Sequence, residues 1–124
     1  MKKIILVLLV FSIATGLVFS GGAKEEKYPT KPITIVCPWA AGGGTDRTAR
    51  FIAENLSKKL GVPVNVVNKT GGSGAIGHGE GAMAAPDGYT ITNLTYEINV
   101  LKYLGYADLT PENFIPLIQF NEDA

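Results

Sequence analysis

The stretch Ile33-Thr34-Ile35-Val36-Cys37-Pro38-Trp39-Ala40-Ala41-Gly42-Gly43-Gly44-Thr45-Asp46 decides how this chain is read. Its first five residues are short, β-branched and nearly unbroken in apolarity. That pattern fits a strand covered on both faces, as in a parallel sheet. The glycines that follow open onto an amphipathic run beginning near Arg47. Strand, glycine loop and helix start are thereby joined. At such a junction unpaired amide donors meet the positive end of a helix dipole. Glycines let a ligand come close to the backbone, and the chemistry suits a carboxylate or a phosphate.

Downstream, Ala49, Ile52, Ala53, Leu56 and Leu60 fall at helical spacing and form one apolar stripe. Arg50, Glu54 and Lys58 line the other side, with Glu54 four residues before Lys58, the favourable order. Gly61 and Pro63 end that helix, expected over Arg47–Leu60. Val64–Val67 and Tyr89–Thr92 are the second and third strands, and a short helix is expected over Ala75–Ala84. A short helix is expected around Ile98–Leu104, and a turn or capped helical turn at Thr110–Asn113. Phe114–Phe120 has a strand composition, with Pro116 confining it to an edge or a start. The alternation β-α-β-α-β argues for an α/β fold with parallel strands. In such sheets ligands bind beyond the carboxyl ends of strands. The Pro38–Asp46 loop and the Thr92–Tyr96 segment both lie at such ends.

The chain has 124 residues, about one small domain on a prior of ~100–200 residues each. Not all of it is expected to be folded. Lys2 and Lys3 precede an apolar run, Ile4–Phe19, and small residues, Ser20-Gly21-Gly22-Ala23, follow. That is the three-part pattern of a secretory signal peptide, with cleavage after Ser20, Gly22 or Ala23. The apolar run is short against the ~20 residues that span a bilayer. Residues 24–30 then read as a solvated linker and mature N-terminus.

Eleven basic and eleven acidic residues balance, which argues against a broad nucleic-acid footprint. One cysteine, Cys37, inside an apolar run, reads as a small buried hydrophobe with no internal disulfide to make. His78, the one histidine, stands among glycines without metal-ligand spacing and reads as an exposed loop residue. No catalytic, cofactor or metal set is indicated. Gly72-Ser73-Gly74-Ala75-Ile76-Gly77 is a literal G-x-G-x-x-G, so a dinucleotide-binding oxidoreductase fragment is the rival reading, and an exported remnant without function is a second. The rival needs an acid after the next strand, a place Glu97 would have to fill.

Four blocks, taken in order, resemble one family. They are Tyr28-Pro29-Thr30-Lys31-Pro32-Ile33, then Pro38–Asp46, then Asn68-Lys69-Thr70-Gly71-Gly72-Ser73-Gly74-Ala75-Ile76-Gly77, then Ala85-Pro86-Asp87-Gly88-Tyr89-Thr90. Together they resemble the N-terminal part of a substrate-binding receptor of the tripartite tricarboxylate transporters, the Bug-type receptors. The resemblance covers nearly everything after the first 23 residues. It implies a partial periplasmic-binding-protein type II-like domain with a mostly parallel sheet, in which residues 31–124 form the N-terminal part of the first lobe and the second lobe is absent. It implies a periplasmic, non-enzymatic protein that needs no cofactor, binds a small carboxylate between two lobes and delivers it to membrane permease subunits.

The site residues it implies are Trp39, Ala41, Gly42, Gly43, Gly44, Thr45 and Asp46 in the first loop, and Asn93 and Thr95 after the third strand. The chain departs from the family at Thr92-Asn93-Leu94-Thr95-Tyr96-Glu97, where a longer Gly/Ser-containing loop is usual. Thr45 and Asp46 are also expected to cap the helix. Asp46 poses an electrostatic question, because a carboxylate in the first turn competes with an anionic ligand for the same amides.

Overall fold

The computed structural model describes residues 27–121. The expected signal peptide, residues 1–23, and the first part of the linker lie outside the described residues. Three strands and two helices follow in order: β1 (Ile33–Cys37), α1 (Gly44–Leu60), β2 (Val64–Asn68), α2 (Ala75–Met83) and β3 (Thr90–Thr92). The sheet runs β2-β1-β3 and every pairing is parallel. Ile35 lies opposite Val66 on one side and Ile91 on the other. The α/β reading with parallel strands therefore holds, and each strand boundary falls within one residue of its expected place.

Alternation along β1 explains the layers. Ile33, Ile35 and Cys37 point to one face and form a buried cluster with Ala49, Ala53 and Val64. Ile52, Leu56 and Leu60 of the apolar stripe pack around this cluster and are only partly buried. The two alanines therefore make the closest approach of α1 to the sheet. Val36, equally buried, points the other way. Its pairing partner is Thr92, and Thr92 is the residue against which Gly81 of α2 lies. So α1 covers one face and α2 the other. The chain leaves β1, turns back through α1 to β2 on one side, then passes through α2 to β3 on the opposite side. Between β1 and β3 the winding reverses, which is the topological switch point where open α/β sheets form their crevice.

Helix α1 begins three residues earlier than its periodicity indicates, because the glycines take helical or turn geometry before the apolar stripe starts. Its end follows local chemistry: Gly61 is left-handed (φ 72°) and its N–H donates to Ser57 O at 3.0 Å. The Ser57 hydroxyl accepts the N–H of Val64 at 2.8 Å, tying the helix end to the start of β2.

Two later expectations are corrected. The Ile98–Leu104 segment is not a helix throughout. A 3-10 turn spans Tyr96–Asn99, and the chain then closes on Gly105 (φ 71°), with the N–H of Tyr106 donating to Leu101 O at 3.0 Å. Ile98 and Leu101 are the residues it buries. Phe114–Phe120 forms no strand among the described residues; Ile115, Leu117, Ile118 and Phe120 are exposed. Pro116 offers no N–H, and no neighbouring strand reaches this segment to repay its backbone. The Thr110–Asn113 expectation stands, as a 3-10 turn at Pro111–Asn113 in which the Thr110 N–H donates to Asn113 Oδ1 at 2.8 Å. Among the described residues no helix is long and apolar enough to cross a membrane.

Candidate functional site

The first loop is built from a tight turn feeding a helix. The N–H of Gly43 donates to Ala40 O at 3.3 Å, and Gly42 sits at the third position of that turn with φ 84°. A side chain there would be strained, so this glycine is dictated by backbone geometry. Gly43 (φ −69°, ψ 174°) is the N-cap of α1 and Gly44 its first helical residue. Neither conformation requires glycine. A Cβ on Gly44 would meet nothing within 4 Å. Gly44 is therefore a glycine that packing and φ do not explain, and its effect is to leave the helix start uncovered.

Among the described residues, no acceptor takes the N–H groups of Gly44, Thr45 or Asp46. They are the orphan donors of a 17-residue helix, directed at the carboxyl edge of the sheet. The expectation that Thr45 and Asp46 are the cap is corrected: the cap is Gly43, and these two are the second and third helical residues. Thr45 is half-buried and Asp46 is 1% exposed.

Asp46 answers its own electrostatic question by facing inward. Its Oδ2 accepts the Gly42 N–H at 2.8 Å and Arg50 Nε–H at 2.9 Å, and its Oδ1 accepts from Asn68 Nδ2 at 2.8 Å. Asn68 also donates to Trp39 O at 2.8 Å and accepts from Arg50 at 3.2 Å. The Arg50 guanidinium, then the Gly42 amide and Asn68, hold the Asp46 carboxyl far below the usual carboxylate range. Its charge is thereby neutralised on the core side of the loop, and the amides on the outer side stay available. Ordinary capping would instead have consumed them.

The second wall comes from the segment after β3. The N–H of Asn93 donates to Val36 O at 3.0 Å, extending the ladder one residue past β3, and Asn93 is 7% exposed. Thr95 reaches across the switch point: Trp39 Nε1–H donates to its Oγ1 at 3.1 Å. The structure thus brings Trp39, the Gly42–Asp46 turn, Asn93 and Thr95 to one edge of the sheet. Ala41 is exposed on the same loop.

Two residues of this region were misjudged or missed from sequence. His78 is not an exposed loop residue. It lies on α2, fully buried, with Thr95 N–H donating to its Nε2 at 3.3 Å. Asn68 opened the second glycine block but was given no role of its own, yet it joins β2, the first loop and α1. Nothing in periodicity marks either one; both bond to residues distant in sequence.

The glycine block Gly72–Gly77 is occupied by protein. A Cβ at Gly77 would lie 2.6 Å from Pro38 Cα, and one at Gly74 (φ 90°) 3.0 Å from the His78 ring. These glycines admit the β1 loop and an imidazole, leaving no open cradle of the kind a pyrophosphate needs. Glu97 lies in the 3-10 turn beyond β3, not at a strand end. Among the described residues no group of three or more His, Cys, Asp or Glu side chains could hold a metal ion.

Comparison with known proteins places the chain in a family. The model of the tripartite tricarboxylate transporter family receptor matches residues 48–117, starting inside α1. Protein BugT of Bordetella pertussis is 37% identical over 91 residues, which are 73% of this chain and 27% of that protein. The crystal structure of a TctC solute binding protein from Polaromonas, without ligand, is 39% identical with a TM-score of 0.67, over 72% of this chain and 31% of that one. The R. palustris protein Rpa4515 with adipate is 39% identical with a TM-score of 0.57, over 58% of this chain and 24% of that one. The chain spans 22% of the length of one curated relative and 46% of another.

Proposed function

Because this chain belongs to the tripartite tricarboxylate transporter receptor family, we propose that it forms part of an extracytoplasmic solute-binding receptor, in which the Pro38–Asp46 loop supplies one wall of a carboxylate site. The observation that carries this reading is the set of unpartnered amides at Gly44, Thr45 and Asp46 beside a neutralised, inward-turned Asp46 carboxylate. Amides directed outward from a helix start bind an anionic oxygen directly or through one water. A similar protein has been solved with adipate, a dicarboxylate, which supports a small carboxylate as the class of ligand here.

On this reading residues 31–124 belong to the first lobe of a receptor whose relatives are longer. The opposite wall comes from polypeptide equivalent to their remaining length. The chain is a receptor and not an enzyme, and the captured solute passes to membrane permease subunits of the transporter. The basic start, apolar run and small-residue exit of residues 1–23 support export, cleavage and a periplasmic location. A carboxylate held by one wall alone stays solvated on its open side, where charge interactions are weak. The 124-residue chain by itself therefore binds weakly.

Calorimetry tests this with di- and tricarboxylates, adipate among them, titrated into a full-length relative whose N-terminal segment is replaced by residues 31–121. Saturable carboxylate binding is expected, with no binding of NAD. Tight NAD binding would overturn the receptor reading, and failure of every carboxylate would remove the ligand class.

A further inference from the structure

Trp39 and His78 are the only tryptophan and the only histidine of the chain, and both bind Thr95. The Trp39 indole donates to Thr95 Oγ1 at 3.1 Å, the Thr95 amide donates to His78 Nε2 at 3.3 Å, and Thr95 Oγ1 lies 3.4 Å from the same nitrogen. These three contacts have a direction. A ring nitrogen that accepts an amide N–H must carry a lone pair, which places the single ring proton of a neutral imidazole on Nδ1. The Thr95 hydroxyl, having accepted from Trp39, keeps its own hydrogen for Nε2. The ring is held in place around this arrangement. His78 is fully buried, and a Cβ on Gly74 would stand 3.0 Å from the imidazole and 3.6 Å from the Trp39 ring. His78 Nδ1 has no partner among the described residues, so the contacts to Thr95 are what orient the ring.

We propose that His78 is a positioning residue: as the neutral Nδ1–H tautomer it orients Thr95, and through Thr95 it fixes the Trp39 indole at the edge of the crevice between β1 and β3. The consequence for ligand rests on the carboxylate reading above; the linkage from imidazole to indole does not. Placing a second proton on the ring would set an N–H at Nε2 against the N–H of Thr95. The bond from the Thr95 N–H would break, while the hydroxyl contact would reverse, Nε2–H donating to Thr95 Oγ1. Thr95 then shifts on its backbone and carries the acceptor of the Trp39 indole with it.

The charged surroundings are simple. Burial opposes the second proton and the Glu97 carboxylate favours it. The loop Pro38–Ala41 and the turn Gly71–Gly74 bring no titratable group, and Glu80, on the same helix as His78, is paired with Lys69 at 3.0 Å.

The test needs no ligand in its first part. Nitrogen NMR of the imidazole in the purified chain is expected to show a protonated Nδ1 and a bare Nε2 at neutral pH. Lowering the pH from about 8 to about 5 is expected to move the Trp39 indole resonance and the tryptophan emission along the same curve as the imidazole. His78→Gln, whose side-chain oxygen can accept from Thr95 but does not titrate, should keep the neutral-pH emission and lose its pH dependence. His78→Phe should change the emission at every pH. A protonated Nε2 at neutral pH, or an indole signal that ignores the imidazole titration, would overturn the proposal even if His78→Phe fails to fold. In the full-length receptor carrying residues 31–121, carboxylate affinity should fall by about fivefold over the same titration and not in His78→Gln. If no carboxylate binds at any pH while indole and imidazole still titrate together, the carboxylate reading fails and the positioning role stands.

Discussion

Asn68, at the end of β2, donates to the Asp46 carboxylate at 2.8 Å and to the backbone oxygen of Trp39 at 2.8 Å. One side chain thereby fastens the first turn of α1 and the exit of β1 to the neighbouring strand. Replacing it removes donors from two oxygens that lie in the interior of the loop. Asn68→Ala is expected to cost about 1–3 kcal/mol, the usual penalty of leaving a buried acceptor unsatisfied. Urea unfolding of the two proteins measures it. Asp46→Asn should also destabilise, because its new amide hydrogens would face the N–H of Gly42 or the Arg50 guanidinium. A variant as stable as the parent would mean that Asp46 is held by packing alone.

The glycines divide by what stands where a side chain would go. A Cβ at Gly77 would press on the backbone of Pro38 and Lys69, and one at Gly81 would overlap Thr92. At Gly77 the neighbour is backbone; at Gly81 it is the Thr92 side chain, whose Cβ would lie 2.6 Å away and cannot swing clear. Gly77→Ala and Gly81→Ala are each expected to destabilise by about 1–3 kcal/mol through overpacking. Gly44→Ala should instead leave thermal unfolding nearly unchanged, since nothing lies within 4 Å of the added atom. Equal losses at Gly44 and Gly77 would contradict this division.

That division also shows what the sequence could and could not carry. The strands, α1 and the parallel order were legible because β1 is apolar except at Thr34 and Ala49 to Leu60 repeats with the helical period. Those signals are local. The first loop was legible as a junction, since glycines between a strand and an amphipathic helix leave few alternatives. The inward turn of Asp46 was not, because it depends on Asn68, 22 residues away. The burial of His78 was hidden for a similar reason: glycines around it suggested a loop, whereas they are small so that Pro38, Trp39 and the imidazole can approach. Phe114–Phe120 has the composition of a strand but lacks a neighbour among the described residues, and pairing is the part of strand formation that composition does not record.

Acid should weaken the fold in two separate steps. Burial holds the His78 imidazole below its ordinary value. Between that lowered value and about 6.5 the unfolded chain binds more protons than the folded one, so stability rises with pH across this window and is lost as pH falls through it. Asp46, held far below the usual carboxylate range chiefly by Arg50, contributes fully above about pH 4 and loses its contribution only on stronger acidification. Unfolding midpoints followed against pH should therefore fall first in the histidine window. His78→Gln should flatten that first step and leave the second, whereas Asp46→Asn should shrink the second, to which Glu54, Asp108 and Glu112, also held below the usual carboxylate range, still contribute, and leave the first.

Gly44→Val is the substitution that separates the carboxylate site from the scaffold. The position has an ordinary helical conformation and open space around it, so the valine side chain is accommodated by the fold. It would stand over the amides of Gly44, Thr45 and Asp46 and keep an anion from reaching them. In a full-length receptor carrying residues 31–121, carboxylate affinity is expected to fall by about tenfold or more, equivalent to roughly 1.4 kcal/mol, with little change in unfolding temperature. Gly74→Val is not a suitable comparison, because its left-handed conformation and the His78 ring make it a folding mutation. Lys59→Ser, near the far end of α1 and exposed, is the better control and should leave both affinity and stability as they are. Unchanged carboxylate binding in Gly44→Val would show that the ligand does not use the start of α1, and would move the site away from the first loop.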